Sequence, residues 1–152
     1  IIMKIFVTVG TTKFDTLIRA VDLSSDNENH HYTYQIADGE YKPSAGSYFT
    51  FSSDIDDYYN QADVVITHAG AGSIYGLLER NKTIIIVPNL DRVDKHQSDI
   101  ADFMEEGGYA RVCYNMEIIG EIINSIVEFQ PKRFIKKDFF KQEEISRFIL
   151  GV

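Results

Sequence analysis

The chain has 152 residues, 44% of them hydrophobic, and a formal net charge of −8, which is typical of one globular domain with a substantial core. The acidic balance argues against nucleic acid as a ligand, because phosphate backbones bind to basic faces. The single cysteine, Cys113, excludes an internal disulfide framework and is typical of a reducing compartment. Since no stretch approaches the roughly 20 apolar residues that span a bilayer, we expect a cytoplasmic protein without a transmembrane segment of its own.

Strands and helices alternate in the predicted secondary structure. Apolar and β-branched runs predict strands at residues 4–9, 32–36, 47–51, 64–67, 83–87 and 110–114. Apolar residues at helical spacing predict helices at residues 14–21, 55–61, 74–80, 94–105 and 116–129. Thr11 or Thr12 is the expected cap of the first helix, and Ser53 or Asp54 that of the second.

This alternation defines the expected architecture. Continuous apolar strands separated by helices are typical of a mainly parallel sheet covered on both faces. We therefore predict the α/β class and a single doubly wound, Rossmann-like domain over residues 1–130. Ligands of such domains bind outside the carboxyl ends of the strands, so the loops that follow Val9, Thr67 and Pro88 should converge on one site.

The turn over residues 67–73 is the most informative candidate. It reads Thr67-His68-Ala69-Gly70-Ala71-Gly72-Ser73 and joins a predicted strand to a predicted helix. The amides and the dipole at a helix start attract phosphate-like anions, and glycines let a diphosphate approach the backbone. Taken alone, the pattern fits a structural turn equally well, because it has neither the spacing of a dinucleotide fingerprint nor the lysine of a P-loop.

Two further loops carry polar groups to the same edge of the predicted sheet. Gly10-Thr11-Thr12 follows the first strand, and Asn89 begins a polar loop that leads to His96 and Gln97. Such amides, imidazoles and hydroxyls suit the hydroxyl groups of a sugar. Each loop can also be interpreted more simply, as a helix cap or as solvated chain. No metal site is predicted, because His30-His31 lacks ligand spacing and a nearby cysteine.

In combination, these elements resemble the C-terminal, donor-binding domain of family 28 glycosyltransferases. The resemblance spans roughly residues 3–127 and rests on Val9 to Asp15, on His68 to Ser73, and on Val87-Pro88-Asn89 followed by His96-Gln97. The chain looks most similar to stand-alone subunits of split enzymes. One group is the donor-binding subunit of the UDP-N-acetylglucosamine transferase of N-glycan precursor synthesis. The other comprises PssE-like subunits of bacterial exopolysaccharide glycosyltransferases.

The resemblance implies one half of a GT-B enzyme that is inactive alone. This chain would bind a UDP-sugar, and a membrane-associated partner would bind a lipid-linked glycan acceptor, which would hold the chain peripherally at the membrane. Transfer would be inverting, with no cofactor or metal; His68 and His96 are candidate catalytic residues. The residues expected to bind the donor are Gly10, Thr11, Thr12, His68, Gly70, Ala71, Gly72, Ser73, Asn89, His96 and Gln97.

One position departs from the family pattern. Related transferases hold the nucleotide ribose with a glutamate on the helix after the glycine turn, and that position falls at Gly76 here. Glu79 lies three residues later, about 300° further around an ideal helix, so it does not replace the missing carboxylate. The PssE-like group also varies at this position, which favours exopolysaccharide synthesis.

The remaining segment, residues 131–152, forms a basic and aromatic tail. Residues 132–152 contain six Lys/Arg and three Asp/Glu, a charge of +3, whereas the rest carries nine against twenty, a charge of −11. The tail can fold over its own sheet, dock to the partner subunit or contact anionic lipid headgroups. We favour docking to the partner, as the resemblance to split enzymes implies.

Two other functions remain open at this level. The chain can be a non-catalytic nucleotide-sugar-binding or enhancer subunit, since no convincing general base is visible in its sequence. It can also be an unrelated flavodoxin-like binding module. Binding of UDP would favour a transferase subunit, catalytic or not, and absence of UDP binding would favour the flavodoxin-like module.

Overall fold

The computed structural model describes residues 2–25, 29–89 and 95–133. In chain order the elements are β1 (Met3–Thr8), α1 (Asp15–Ser24), β2 (His30–Gln35), β3 (Ser47–Phe49), α2 (Ile55–Gln61), β4 (Val64–His68), α3 (Ala71–Glu79), β5 (Thr83–Val87), α4 (Lys95–Glu106), β6 (Arg111–Val112) and α5 (Ile119–Ser125). Short 3₁₀ turns, Met116–Ile118 and Ile126–Glu128, flank α5. No helix in these described ranges is both long and apolar enough to cross a membrane.

The six strands form one sheet in the order β3-β2-β1-β4-β5-β6, and every neighbouring pair is parallel. This is the strand order of the doubly wound dinucleotide-binding fold, which confirms the predicted fold class. The chain reverses its direction of travel across the sheet between β1 and β4. At that point Thr8 pairs with Thr67, so the loops after β1 and β4 leave the sheet side by side. Ligands of open α/β sheets bind in the crevice at this reversal.

Helices cover both faces of the sheet. Because side chains alternate along a strand, Ile5 and Val7 of β1 pack with α1 and α5 on one face, and Phe6 packs with α2, α3 and α4 on the other. Strands β1, β4 and β5 are buried on both faces, as their continuous apolar runs predict. The helices therefore bury the sheet and leave the strand ends to form the site.

Some predicted boundaries and caps were wrong. The N-cap of α1 is Phe14, without a side-chain capping bond, and Thr11 and Thr12 lie exposed in the preceding loop. Phe14 is only 5% exposed, so burial of its ring sets where the helix begins. Asp54 is the N-cap of α2, as one prediction had it, but its carboxylate makes no capping bond.

The last third of the chain is also more interrupted than predicted. Strand β6 contains two residues rather than five, because it is the edge strand and its ladder ends after the Cys113 amide bonds to the Ile86 carbonyl. The single helix expected over residues 116–129 is divided into α5 and its two flanking 3₁₀ turns. The Asn115 side chain caps the first of these turns by accepting from the Glu117 amide.

The connection between β2 and β3 is tied to α1 through a buried carboxylate, Asp22. Its oxygens accept hydrogen bonds from the Tyr41 hydroxyl at 2.7 Å, the Ala45 amide at 2.7 Å and the Ser44 amide at 3.1 Å. Burial raises the pKa of Asp22, but these hydrogen bonds to the charged form outweigh it, and the pKa lies below its ordinary value. The ionised carboxylate therefore stabilises the fold.

Replacing Asp22→Asn should lower the free energy of unfolding by about 2–3 kcal/mol near neutral pH, since a charged acceptor of three hydrogen bonds is lost. A depressed folded-state pKa contributes stability above the unfolded value of about 4, and this contribution disappears as the pH falls through the folded value. The difference in the free energy of unfolding between wild type and variant should therefore become smaller below about pH 4. Urea denaturation across pH checks this, with the exposed Asp38→Asn as a control for the loss of charge. If this difference in unfolding free energy does not change with pH, ionised Asp22 does not stabilise the fold in the way described.

Candidate functional site

The crevice at the reversal of the sheet brings two predicted site segments together. The loop after β1 turns at Gly10, whose φ is +72°, a left-handed conformation that favours glycine. Thr11 and Thr12 follow it and are exposed. Strand β4 ends at His68, and Ala69 and Gly70 lead from it into α3. The structure thus places these predicted residues beside one another at the carboxyl end of the sheet.

The His68 ring explains why positions 10 and 70 are glycines, because it fills the space that a side chain at either position would need. A Cβ added to Gly10 would lie 2.7 Å from Cε1 of the His68 ring, and one added to Gly70 would overlap Nε2 of the same ring. Real Cβ atoms do not approach so closely. Gly10 and Gly70 therefore make room for the imidazole, which is half-buried. Sequence reasoning had interpreted the glycine at position 70 as space for a diphosphate.

Gly72 differs from these two glycines because the space beside it is open. A Cβ added there would meet no atom within 4 Å, and the residue is exposed in the first turn of α3. Gly70 is the N-cap, and the first helical bond runs from the Ile74 amide to the Gly70 carbonyl at 3.1 Å. The amides of Ala71, Gly72 and Ser73 precede that bond, so they lack acceptors within the helix.

The electrostatics of this helix start favour an anion. The first turn of α3 contains no acidic residue, so no carboxylate of its own competes for the amides. The helix is nine residues long, and its dipole adds partial positive charge at this end. The arrangement can therefore hold a phosphate group against exposed backbone.

Ser73 contributes its backbone amide to the helix start, in the first turn of α3 beside the amides of Ala71 and Gly72. Its side chain neighbours Tyr59 of α2: burial raises the pKa of Tyr59, and the Ser73 side chain opposes part of that rise.

Gln35, at the end of β2, is a site residue that sequence analysis missed. Its side chain is buried, and its amide group bonds to Thr8, Val9, Gly10 and Thr50 at the carboxyl end of the sheet. A polar residue near the end of the predicted strand at residues 32–36 was the available signal. Gln35 faces the loop that carries Gly10, so it shapes one wall of the crevice.

The third predicted segment is described only in part. Asn89 follows β5 and is half-buried, and β5 pairs with β4 up to Val87 opposite His68. The backbone places His96 and Gln97 in the first turn of α4. Residues 90–94 lie outside the described residues. Asn89 thus lies at the same edge of the sheet, and the roles of His96 and Gln97 in the site stay predictions.

Arg80 accounts for the surroundings of Gly76. Its Nη1 donates to the Gly76 carbonyl at 2.9 Å, its Nη2 lies 2.9 Å from Asp56 Oδ1, and its guanidinium stacks over the Tyr59 ring. Glu79 is exposed on α3. Gly76, at the position where related transferases carry a glutamate, therefore offers no side chain, and its carbonyl is bonded to the Arg80 guanidinium. Across the described part of the chain, no three His, Cys, Asp or Glu side chains are grouped in a way that could hold a metal ion.

The fold and the open helix start define this domain as Rossmann-like. The chain belongs to glycosyltransferase family 28: the pattern of the glycosyltransferase family 28 C-terminal domain matches residues 4–147. It therefore carries a glycosyltransferase family 28 C-terminal domain, as the sequence resemblance implied.

Similar proteins agree with this assignment. The chain is 32% identical to the UDP-N-acetylglucosamine transferase subunit ALG13 of Mus musculus over 123 residues, which are 72% of this chain and 10% of that protein. It is 37% identical to the subunit of the same name from Debaryomyces hansenii over 87 residues, 57% of this chain and 40% of that protein. The chain thus spans well under half the length of these relatives.

Solved structures show the same fold. The NMR structure of ALG13 superposes with a TM-score of 0.66 at 21% identity and covers 97% of both chains. The crystal structure of Acinetobacter baumannii MurG superposes with a TM-score of 0.66 at 19% identity, over 82% of this chain and 41% of that one. The similarity is thus confined to part of the larger chain, in line with the predicted GT-B half.

Proposed function

We propose that this chain is the donor-binding subunit of a two-component, UDP-sugar-dependent inverting glycosyltransferase. The observation that carries the proposal is the open start of α3 at the sheet reversal, where Gly72 exposes backbone with no atom within 4 Å of an added Cβ. Membership of glycosyltransferase family 28 supports a nucleotide-sugar ligand for that site.

In this proposal, the diphosphate of the donor lies against the amides of Ala71, Gly72 and Ser73. Charge accumulates on the UDP oxygens as the bond to the anomeric carbon breaks and an acceptor hydroxyl attacks the opposite side of that carbon. Fixed amide dipoles stabilise such charge most strongly where they are already oriented and water is excluded. The helix start then serves the leaving group, and no metal or cofactor is required.

The sugar and the acceptor occupy the rest of the crevice. Thr11 and Thr12 are exposed beside it, and we assign them to the cleft wall. His96 and Gln97 lie in the first turn of α4, and we assign them to the sugar or the diphosphate. His68 stays a candidate for catalysis because its ring lies between the two loops. The acceptor hydroxyl belongs to a lipid-linked glycan, which a second chain binds in this scheme.

The relatives support one donor in particular. Both are named as UDP-N-acetylglucosamine transferase subunits, so we propose UDP-N-acetylglucosamine as the sugar donor. We further propose a membrane-associated partner that binds a lipid-linked glycan, and a peripheral cytoplasmic location through that partner. The predicted role in exopolysaccharide synthesis stays a prediction, as does docking through the tail, of which residues 134–152 lie outside the described residues.

Titration of the isolated chain with UDP tests the donor site directly. UDP should shift the backbone amide NMR signals of Gly72 and Ser73, and calorimetry should show it binding about tenfold or more tightly than UMP, which corresponds to about 1.4 kcal/mol from the second phosphate. Uridine without phosphate is the matched control and should leave both amides unchanged. If millimolar UDP leaves these amides unshifted, or if uridine shifts them equally, the diphosphate assignment is wrong.

A further inference from the structure

The amide group of Gln35 connects the carboxyl ends of three strands. Its Oε1 accepts hydrogen bonds from the Thr8 hydroxyl at 2.6 Å, the Val9 amide at 3.1 Å and the Gly10 amide at 3.0 Å. Its Nε2 donates to the carbonyls of Gly10 and Thr50, both at 2.8 Å. The side chain comes from β2, and its partners follow or end β1 and β3, so one side chain ties these three strand ends together.

The amide can adopt only one orientation in this setting. Three donors surround Oε1 and two carbonyl acceptors surround Nε2, and a flipped amide would place like groups against each other. Gln35 is 3% exposed, so water does not replace these bonds. The Gln35 side chain therefore fixes Gly10 through hydrogen bonds to both its amide and its carbonyl.

Gly10 passes this constraint to His68. The His68 ring lies so close to Gly10 that an added Cβ would be 2.7 Å from Cε1. The same ring also lies close to Gly70, the N-cap of α3, where an added Cβ would overlap Nε2. A continuous set of contacts thus runs from Gln35 through Gly10 and His68 to the helix start, across the reversal of the sheet.

We propose that Gln35 is a positioning residue: by holding Gly10 on two sides, it seats the His68 imidazole between the β1 loop and the start of α3. Its influence on donor binding rests on the proposed function, since that effect requires UDP at the α3 start. Its influence on His68 does not, because it follows from the contacts among Gln35, Gly10 and His68 alone.

The variant Gln35→Glu tests this role because it keeps the length and shape of the side chain. A carboxylate accepts hydrogen bonds but donates none, so it would face the carbonyls of Gly10 and Thr50 without a proton between them. We expect the His68 ring signals to move in NMR spectra and UDP affinity to fall about tenfold. Protonation restores one donor, so the affinity relative to wild type at the same pH should recover as the pH falls.

Asp22→Asn is the matched control, since it also weakens a buried hydrogen-bond network but lies at the far end of α1. It should leave the His68 signals and UDP affinity at wild-type values. A folded Gln35→Glu chain with unchanged His68 signals would overturn the proposal even if UDP does not bind the wild type. If that variant does not fold, hydrogen exchange of the wild-type Gly10 amide decides: strong protection supports the proposal, and exchange at the rate of an open loop overturns it.

Discussion

Gly72→Asp is expected to weaken UDP binding strongly while making the domain more stable. Aspartate near the N-terminus of a helix interacts favourably with the helix dipole by about 0.3–1 kcal/mol, and its helix propensity exceeds that of glycine by roughly 0.3 kcal/mol. The same carboxylate would occupy the open space beside the first amides of α3 and repel a diphosphate. We expect UDP affinity to fall by about 100-fold or more, equivalent to about 2.7 kcal/mol.

This prediction is specific because the same substitution should raise thermal stability and lower UDP affinity. Calorimetry with UDP and thermal denaturation measure the two effects, and a variant that melts higher has not lost binding by misfolding. Gly76→Ala is the control, because it lies one turn further along α3 and its Cβ would meet only the flexible end of Arg80, at 3.3 Å. It should gain stability and keep UDP affinity. Wild-type affinity in Gly72→Asp would place the diphosphate elsewhere.

Gly70→Ala should destabilise the protein more when His68 is present than when it is absent. The added methyl group would overlap Nε2 of the His68 ring, and forced displacement of a packed side chain costs about 1–3 kcal/mol. The backbone itself tolerates alanine, because Gly70 has φ −85° and ψ 128°. In a His68→Ala background the overlap disappears, and the substitution should cost less than about 1 kcal/mol, the usual preference for glycine over alanine at an N-cap.

A double-mutant cycle measured by urea denaturation isolates this effect. The two substitutions should be non-additive by about 1–2 kcal/mol, with the double variant more stable than the sum of the single changes predicts. Unchanged m-values would show that all four proteins unfold from equally compact states. Additive costs would mean that His68 does not occupy the space beside Gly70.

The sequence predicted most of the scaffold correctly. Strand β5 has the predicted bounds, Thr83–Val87, and α2 likewise, Ile55–Gln61, because apolar runs and helical spacing depend on near neighbours in the chain. The parallel sheet followed from the alternation of such segments. Caps and edges were less predictable: Phe14 starts α1 through burial, and β6 is short because it has a single neighbouring strand.

The turn at residues 67–73 was likewise predicted only in part. Sequence alone identified His68, Gly70 and Gly72 and their position between a strand and a helix. It assigned one purpose to both glycines, whereas the structure gives Gly70 to the His68 ring and leaves only Gly72 with open space.

By itself, the sequence determined which segments reach the carboxyl edge of the sheet, because the order of strands and turns is local information. Only the tertiary structure decided how these segments meet. The strand order places β1 beside β4, which brings Gly10 against His68, and β2 beside β1, which brings Gln35 against Gly10. Such contacts join residues distant in the chain, and they depend on the packing of the whole sheet, which no local pattern of residues specifies.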